Sequence, residues 1–306
     1  MKLHKELLRI SHLLFIIFLA IQALPDRING NPYPAYAIMV TLALEAFSIL
    51  IFLLVKTEER KNLCADIITV VYLFLIVWTL LTAKFNILKE ALFPPPGAVF
   101  EQTLRDGAKI FLNIRTSLGI IIQGYLLALV IAIPLGLFLG WSVRLGNVGI
   151  YVSKFLGSIP PVVYIPYGIA LLPTFRSVSV FVIFLASFWP ALAGTMSGVL
   201  NVEKQTIDSA ASLCVNKLSM LFSIILPASL PQIFIGCNQG LSVSFILLTS
   251  AEMIGARSGL GYYIKNYSDL GDYKRTIVGV IVIGIVVSVM VFFFNKLQRF
   301  MLRWKE

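Results

Sequence analysis

The stretch at residues 201–227, NVEKQTIDSAASLCVNKLSMLFSIILP, decides how the rest of the chain is read. It lies between apolar runs long enough to cross a bilayer. Yet it carries Asn201, Glu203, Lys204, Gln205, Asp208, Asn216 and Lys217, which are costly in hydrocarbon. The stretch therefore reads as a loop in water. Val202, Ile207, Ala210, Ala211, Leu213, Leu218, Leu221 and Phe222 recur mostly at helical steps, as in short helices whose one apolar face needs a partner. Two readings follow from this pattern: an amphipathic hairpin lying on its own bundle or on lipid headgroups, or a docking element for another protein.

Of the 306 residues, 58% are hydrophobic and only 13% charged. That balance belongs to a polytopic membrane protein and excludes an ordinary soluble domain. A membrane-spanning helix takes about 20 apolar residues, so repeated runs of that length fill most of the chain and leave no room for a soluble catalytic domain. The net charge of +10 comes from Lys and Arg scattered through short loops with no basic stripe. It points to membrane topology rather than to nucleic acid. Cys64, Cys214 and Cys237 are odd in number and widely spaced, which argues against a disulfide framework or a metal site. His4 and His12 both lie at the N-terminus, leaving no histidine chemistry for the body of the protein.

Working outward, the chain reads as all-α, a polytopic transmembrane bundle of about eight spans. Lys2, Lys5 and Arg9 precede a retained first span at 12–24, with no small-residue cleavage site before Pro25. Further spans fall at about 35–55, 63–83, 116–141, 148–172, 177–200, 230–256 and 276–294. Three N-terminal spans thus occupy residues 1–83, an interfacial elbow on the outer face occupies 84–112, and a five-span core occupies 113–306. The elbow contains FPPPG at 93–97, where consecutive prolines favour an extended strut. An amphipathic stretch with Val99, Phe100, Leu104, Ile110 and Phe111 follows.

Gly136 and Gly140 stand at small-xxx-small spacing, which reads as helix packing. The fifth run is interrupted by Pro160, Pro161 and Pro166, with Tyr164 and Tyr167 between them. Carbonyls freed by such breaks are tolerated only where they face protein or a wet cavity. The segment is either a lining of the pathway or a kinked packing helix. Asn238 and Gln239 offer uncharged hydrogen bonds, to a solute or between helices. Glu45 can pair with a neighbouring helix, Asp66 can reach the interface, and Glu252 reads as interfacial near the outer end of its span. Alternating the spans from an inner N-terminus puts Lys56, Arg144, the 201–227 loop and the C-terminal Lys296, Arg299, Arg303 and Lys305 on the cytoplasmic side. Lys84, Lys89, Arg105 and Lys109 then fall outside.

The polar stretch resembles the cytoplasmic signature of ABC importer permeases, in words Glu-Ala-Ala, three residues, Gly, nine residues and Ile-x-Leu-Pro. Asp208, Ser209 and Ala210 stand at the first triplet, Cys214 at the glycine, and Ile224, Leu226 and Pro227 at the end. Cys214 departs from the pattern, because the family's glycine allows a tight turn that other residues disfavour. Asn216 can take the turn instead, or the two helices can join at an ordinary bend. FPPPGAVF at 93–100, IPLGLFLG at 133–140, IPPVVYIP at 159–166 and AEMIGARSGLGYYI at 251–264 resemble, in order, the permease branch associated with nitrate, sulfonate, taurine and related small solutes. Many relatives have a single span where this chain has three.

The resemblance implies two permease copies paired in a bacterial inner membrane, each docking an ATP-binding subunit through the helix around Asp208 and Leu213. It also implies a periplasmic or lipid-anchored substrate-binding protein. ATP and Mg are then expected on the partner ATPase and no cofactor on this chain, which has no GxxxxGK[ST] phosphate loop. Pro160, Pro161, Tyr164 and Pro166, with Asn238 and Gln239, are the expected pathway residues. An ion-coupled secondary transporter or channel is the alternative, with Glu45, Asp66 and Glu252 as carriers. An intramembrane enzyme lacks HExxH, a core histidine and paired aspartates. A membrane scaffold without transport leaves the broken span unexplained.

Overall fold

A computed structural model describes residues 10–27, 33–55 and 57–303. Lys2, Lys5, Arg9, Lys56 and Lys305, used in the charge argument above, and His4 lie outside the described residues. Those described form helices and connecting turns, with no strand among them. The order is α1 Ile10–Ala23, α2 Pro34–Leu54, α3 Glu58–Thr79, α4 Pro96–Arg105, α5 Gly107–Gly140, α6 Val143–Gly157 and α7 Tyr164–Leu171. Then come α8 Phe175–Leu200, α9 Lys204–Ser212, α10 Lys217–Ser219, α11 Leu226–Gly255, α12 Leu260–Asp269 and α13 Tyr273–Met301.

Among the described residues six helical runs are long and apolar enough to cross a membrane. The pair α6 and α7, bent by 64°, makes up to seven, and α1 is a shorter apolar helix. The expected eight segments correspond to these, so eight is an approximate count. The break falls at Ser158–Pro160 and a 3-10 turn, Pro161–Val163. Pro166 interrupts nothing, because it sits in the first turn of α7, where a missing N–H has no intrahelical acceptor to lose. The elbow is likewise more helical than the prolines suggest: Pro95 is extended and α4 starts at Pro96, a favoured first helical position. Ile110 and Phe111 belong to the long α5 rather than to the elbow helix.

Two compact units divide the chain. In the unit of residues 1–109 and 266–280, α1, α2 and α3 meet around Phe18, Ala37, Leu75 and Ile76. Several buried charged groups within it are matched. Glu45 receives the Tyr72 hydroxyl on Oε2 at 2.8 Å and bonds His12 Nδ1 through Oε1, so it takes the helix-joining role. Lys84 closes a π-helical turn, Leu80–Lys84, and reaches Asp26 and the Leu24 carbonyl, each at 2.6 Å. Arg275 joins Asp106 at 2.7 Å and Asp272 at 2.6 Å. Asp66 is exposed on α3.

In the unit of residues 110–265 and 281–306, α8 and α11 form the most extensive helix pair. Their axes approach closely because glycine meets glycine: a Cβ on Gly194 would lie 2.9 Å from Gly236 Cα. Ser187 and Ser244 bond across the same pair at 2.6 Å. Gly136 and Gly140 do the packing their spacing implies, since a Cβ on either would strike Thr195 or Val199 of α8. Tyr125 donates to the Cys237 carbonyl at 2.9 Å and sets its ring edge-on to Phe294. The surrounding core draws Ile121 and Ala128 from α5, Ile183 and Met196 from α8, and Ile233 and Leu241 from α11.

Removing the Glu45 carboxylate leaves His12 and Tyr72 buried without their partner. Glu45→Ala is expected to lower stability by on the order of 1–3 kcal/mol, and Glu45→Gln by less. Unfolding midpoints in detergent check this; an unchanged midpoint in Glu45→Ala would contradict it.

Candidate functional site

The connection between α8 and α11 is the helical hairpin that the polar stretch implies. Its inner side is apolar: Ile207 and Ala210 of α9, with Val202 and Val215, pack against Leu137, Val199, Met220 and Ile225. Asp208 and Ser209 point outward, and Leu213, Leu218 and Phe222 are exposed, Leu213 to 79%. The hairpin is thus seated on its own bundle through one face and presents a second, mixed face. The first reading of the apolar pattern, a hairpin lying on its own bundle, describes the inner side.

The turn is made by Cys214 itself, with φ of 56°. The Val215 N–H bonds the Ala210 carbonyl at 3.3 Å, and the Cys214 N–H bonds the Ala211 carbonyl at 3.0 Å. This is a Schellman termination with Cys214 at the position where glycine is usual, closed by the apolar pair Val215 and Ala210. Asn216 does not take the turn. It caps the next helix, its side chain accepting from the Ser219 N–H at 2.7 Å. A π-helical turn, Met220–Ile225, follows and leads into Leu226 and Pro227, with Ile224 and Leu226 packed into the seat. The widened turn comes just before Pro227, whose ring clashes with the carbonyl four residues back in a regular helix.

At the other end of α11 the AEMIGARSGLGYYI stretch folds into a buried clamp. Glu252 is only 2% exposed, enclosed by protein. Its Oε1 accepts from the Ser117 hydroxyl and its Oε2 from the Gly261 N–H, both at 2.7 Å. Ser117 in turn accepts from the Leu260 N–H at 2.9 Å, and Asn113 from the Gly259 N–H at 2.8 Å. Three successive N–H groups at the start of α12 are therefore received by side chains of α5 and α11, which a helix N-terminus requires when buried. Gly259 has φ of +119°, and a Cβ there would stand 2.3 Å from the Glu252 carboxyl carbon. The signal available in the sequence was a glutamate ahead of the Gly-rich turn, and Asn113 and Ser117 one helical turn apart.

A cavity of about 400 Å³ lies between α6, α8 and α11. Among the expected pathway residues the structure brings Gln239 to its wall. Asn238, one position away, is not on that wall and keeps Oδ1 buried without a hydrogen-bond partner. Pro160, Pro161, Tyr164 and Pro166 lie at the break between α6 and α7 and do not line this cavity. Lys154 and Ser153 of α6 do, and sequence reasoning did not single them out.

Two outcomes follow. Cys214→Gly relieves the left-handed turn and is expected to stabilise the hairpin by on the order of 1 kcal/mol, with Cys214→Val destabilising it. Hydrogen exchange of the α9 amides should slow in the first variant and quicken in the second; no difference between them would remove the strain argument. Glu252→Gln sets an amide donor against an N–H or O–H and is expected to cost about 1–3 kcal/mol. Gly259→Ala should be worse, as read by thermal unfolding, and a native-like Gly259→Ala would contradict the clamp.

Residues 132–305 match the family described as binding-protein-dependent transport system inner membrane component. A probable ABC transporter permease protein of Brucella abortus is 32% identical over 231 residues, 75% of this chain and 91% of the relative. The taurine transport system permease protein of Escherichia coli is 26% identical over 251 residues, 80% of this chain and 90% of the relative. A nitrate import permease protein of Leptolyngbya laminosa is 29% identical over 177 residues, 58% of this chain and 63% of the relative. With a helical membrane bundle, a seated polar hairpin at the signature position and these matches together, the chain belongs to the binding-protein-dependent inner-membrane components, the permeases of ABC importers.

Proposed function

We propose that this chain is the permease subunit of an ATP-driven importer for a small solute of the nitrate, sulfonate or taurine kind or a related small organic compound. Two copies pair in the bacterial inner membrane with both termini in the cytoplasm. Each docks an ATP-binding subunit that holds the ATP and Mg, and a periplasmic or lipid-anchored binding protein delivers the solute. The observation that carries the reading is the two-faced hairpin, seated through Ile207 and Ala210 while Asp208, Ser209 and Leu213 remain exposed.

An exposed leucine beside a carboxylate, on a short helix tied to span ends, is the geometry of a lever. The apolar side chain fills a groove in the ATPase, and the seat passes its displacement to α5, α8 and α11. Closure of the ATPase pair then moves the hairpin and alternates access to the pathway. Ala210 serves the seat, and Cys214 and Pro227 fix the angles at which the hairpin turns and leaves. The ion-coupled alternative has less to draw on, because Glu45 and Glu252 are both engaged in bonds that join helices.

Co-purification of an ATP-binding subunit in mild detergent tests the docking face. The native chain is expected to retain the subunit. Asp208→Lys and Leu213→Asp, both on exposed positions, should lose most of it while eluting as folded permease. Undiminished recovery in both variants would overturn the coupling role of this face.

A further inference from the structure

The cavity between α6, α8 and α11 has one cationic side chain on its wall, Lys154, and no carboxylate among its lining residues. The residue before it is more telling. Ser153 is 2% exposed and its hydroxyl has no hydrogen-bond partner. A buried hydroxyl in that state carries a free-energy cost that a bound group can remove. Gln232 and Gln239 line the same wall. Ser158 adds no free donor, since its hydroxyl is spent on the Phe155 carbonyl at 2.7 Å.

The lining residues therefore carry an ammonium and two side-chain amides, with the unsatisfied Ser153 hydroxyl buried just behind the surface, a set that suits a ligand rich in acceptors and negative in charge. Lys154 also stands in the last turn of α6, where a cation complements the carbonyl end of the helix. That role accounts for the charge but leaves the Ser153 hydroxyl without a function.

We propose that Ser153, Lys154 and Gln239 form a transit site for a small oxyanion inside the permease. The site rests on the importer reading above and adds to it that the permease itself, and not only the binding protein, selects for negative charge. A single lysine with neutral donors holds an anion without trapping it, which passage requires.

The test uses the full chain in lipid nanodiscs, titrated with sodium nitrate and with sodium methanesulfonate at constant ionic strength. Urea serves as a neutral control of similar size. Trp189 is on the cavity wall, and its fluorescence, assigned by loss in Trp189→Phe, reports occupancy. Both anions are expected to give a saturable change and urea none. Lys154→Gln should raise the half-saturating concentration by about tenfold or more, Ser153→Ala by less, and Lys154→Arg should keep the native curve.

An identical curve in Lys154→Gln, loss in Lys154→Arg as well, an equal response to urea, or no saturable response in the native chain would overturn the site. ATPase co-purification from the same preparations separates the two claims. A chain that recruits the ATPase but ignores anions loses only the transit site, whereas one that binds anions and recruits no ATPase loses the importer reading.

Discussion

The contact of Gly194 with Gly236 is the constraint on which the unit of residues 110–265 and 281–306 depends. In a bilayer there is no hydrophobic drive to bring two apolar helices together, so close backbone approach and the dispersion it allows must hold them. Glycine on both sides provides that approach, and the bond between Ser187 and Ser244 adds a polar tie two turns further on. The hairpin is the link between these two helices, and the cavity lies in the wall they share with α6. A change in how α8 and α11 meet thus reaches both features at once. Under the proposed function, a hairpin moved by the ATPase would act directly on this closely packed pair.

The charged groups buried among these apolar helices are stability problems with local answers. Glu45 is answered by Tyr72 and His12, Lys84 by Asp26, and Glu252 by Ser117 and the Gly261 N–H. Leaving any of these unpaired in a medium without water is costly. These pairs also bear on the charge distribution. Lys84 and Arg105, which weaken the count of Lys and Arg by side, are both neutralised within the fold, Arg105 by Glu101 at 2.5 Å. Among the described residues the exceptions to pairing include the buried hydroxyl of Ser153, which lies beside Lys154 on the lining of the cavity between α6, α8 and α11.

Long apolar runs made the helices and the fold class legible from the residues alone, because a span has a fixed length and composition. The hairpin was legible for the opposite reason, as a polar interruption with a helical period. Its two-sidedness was not, since periodicity shows that Ile207, Ala210 and Leu213 belong to an apolar pattern but not which of them the bundle claims. Cys214 shows the limit of reasoning from residue type: it adopts the left-handed turn that glycine favours because the pairing of Val215 with Ala210 and the cap at Asn216 fix the geometry around it. Glu252 was hidden because its partners Ser117 and Gly261 are supplied by tertiary contact with α5 and α12. Prolines drew attention to residues 160–166, while the cavity is lined by less conspicuous residues one to two turns earlier.

Under the proposed function, the energy for movement comes from a partner's ATP hydrolysis delivered through the hairpin. Uptake into proteoliposomes carrying the permease, its ATP-binding subunits and the loaded binding protein, with ATP enclosed and all ion gradients collapsed by ionophores, measures it directly. Uptake is expected to track enclosed ATP and to be absent when an ion gradient is supplied in place of ATP. Uptake driven by the gradient alone, with ATP making no difference, would contradict it and return the intramembrane carboxylates to the centre of the mechanism.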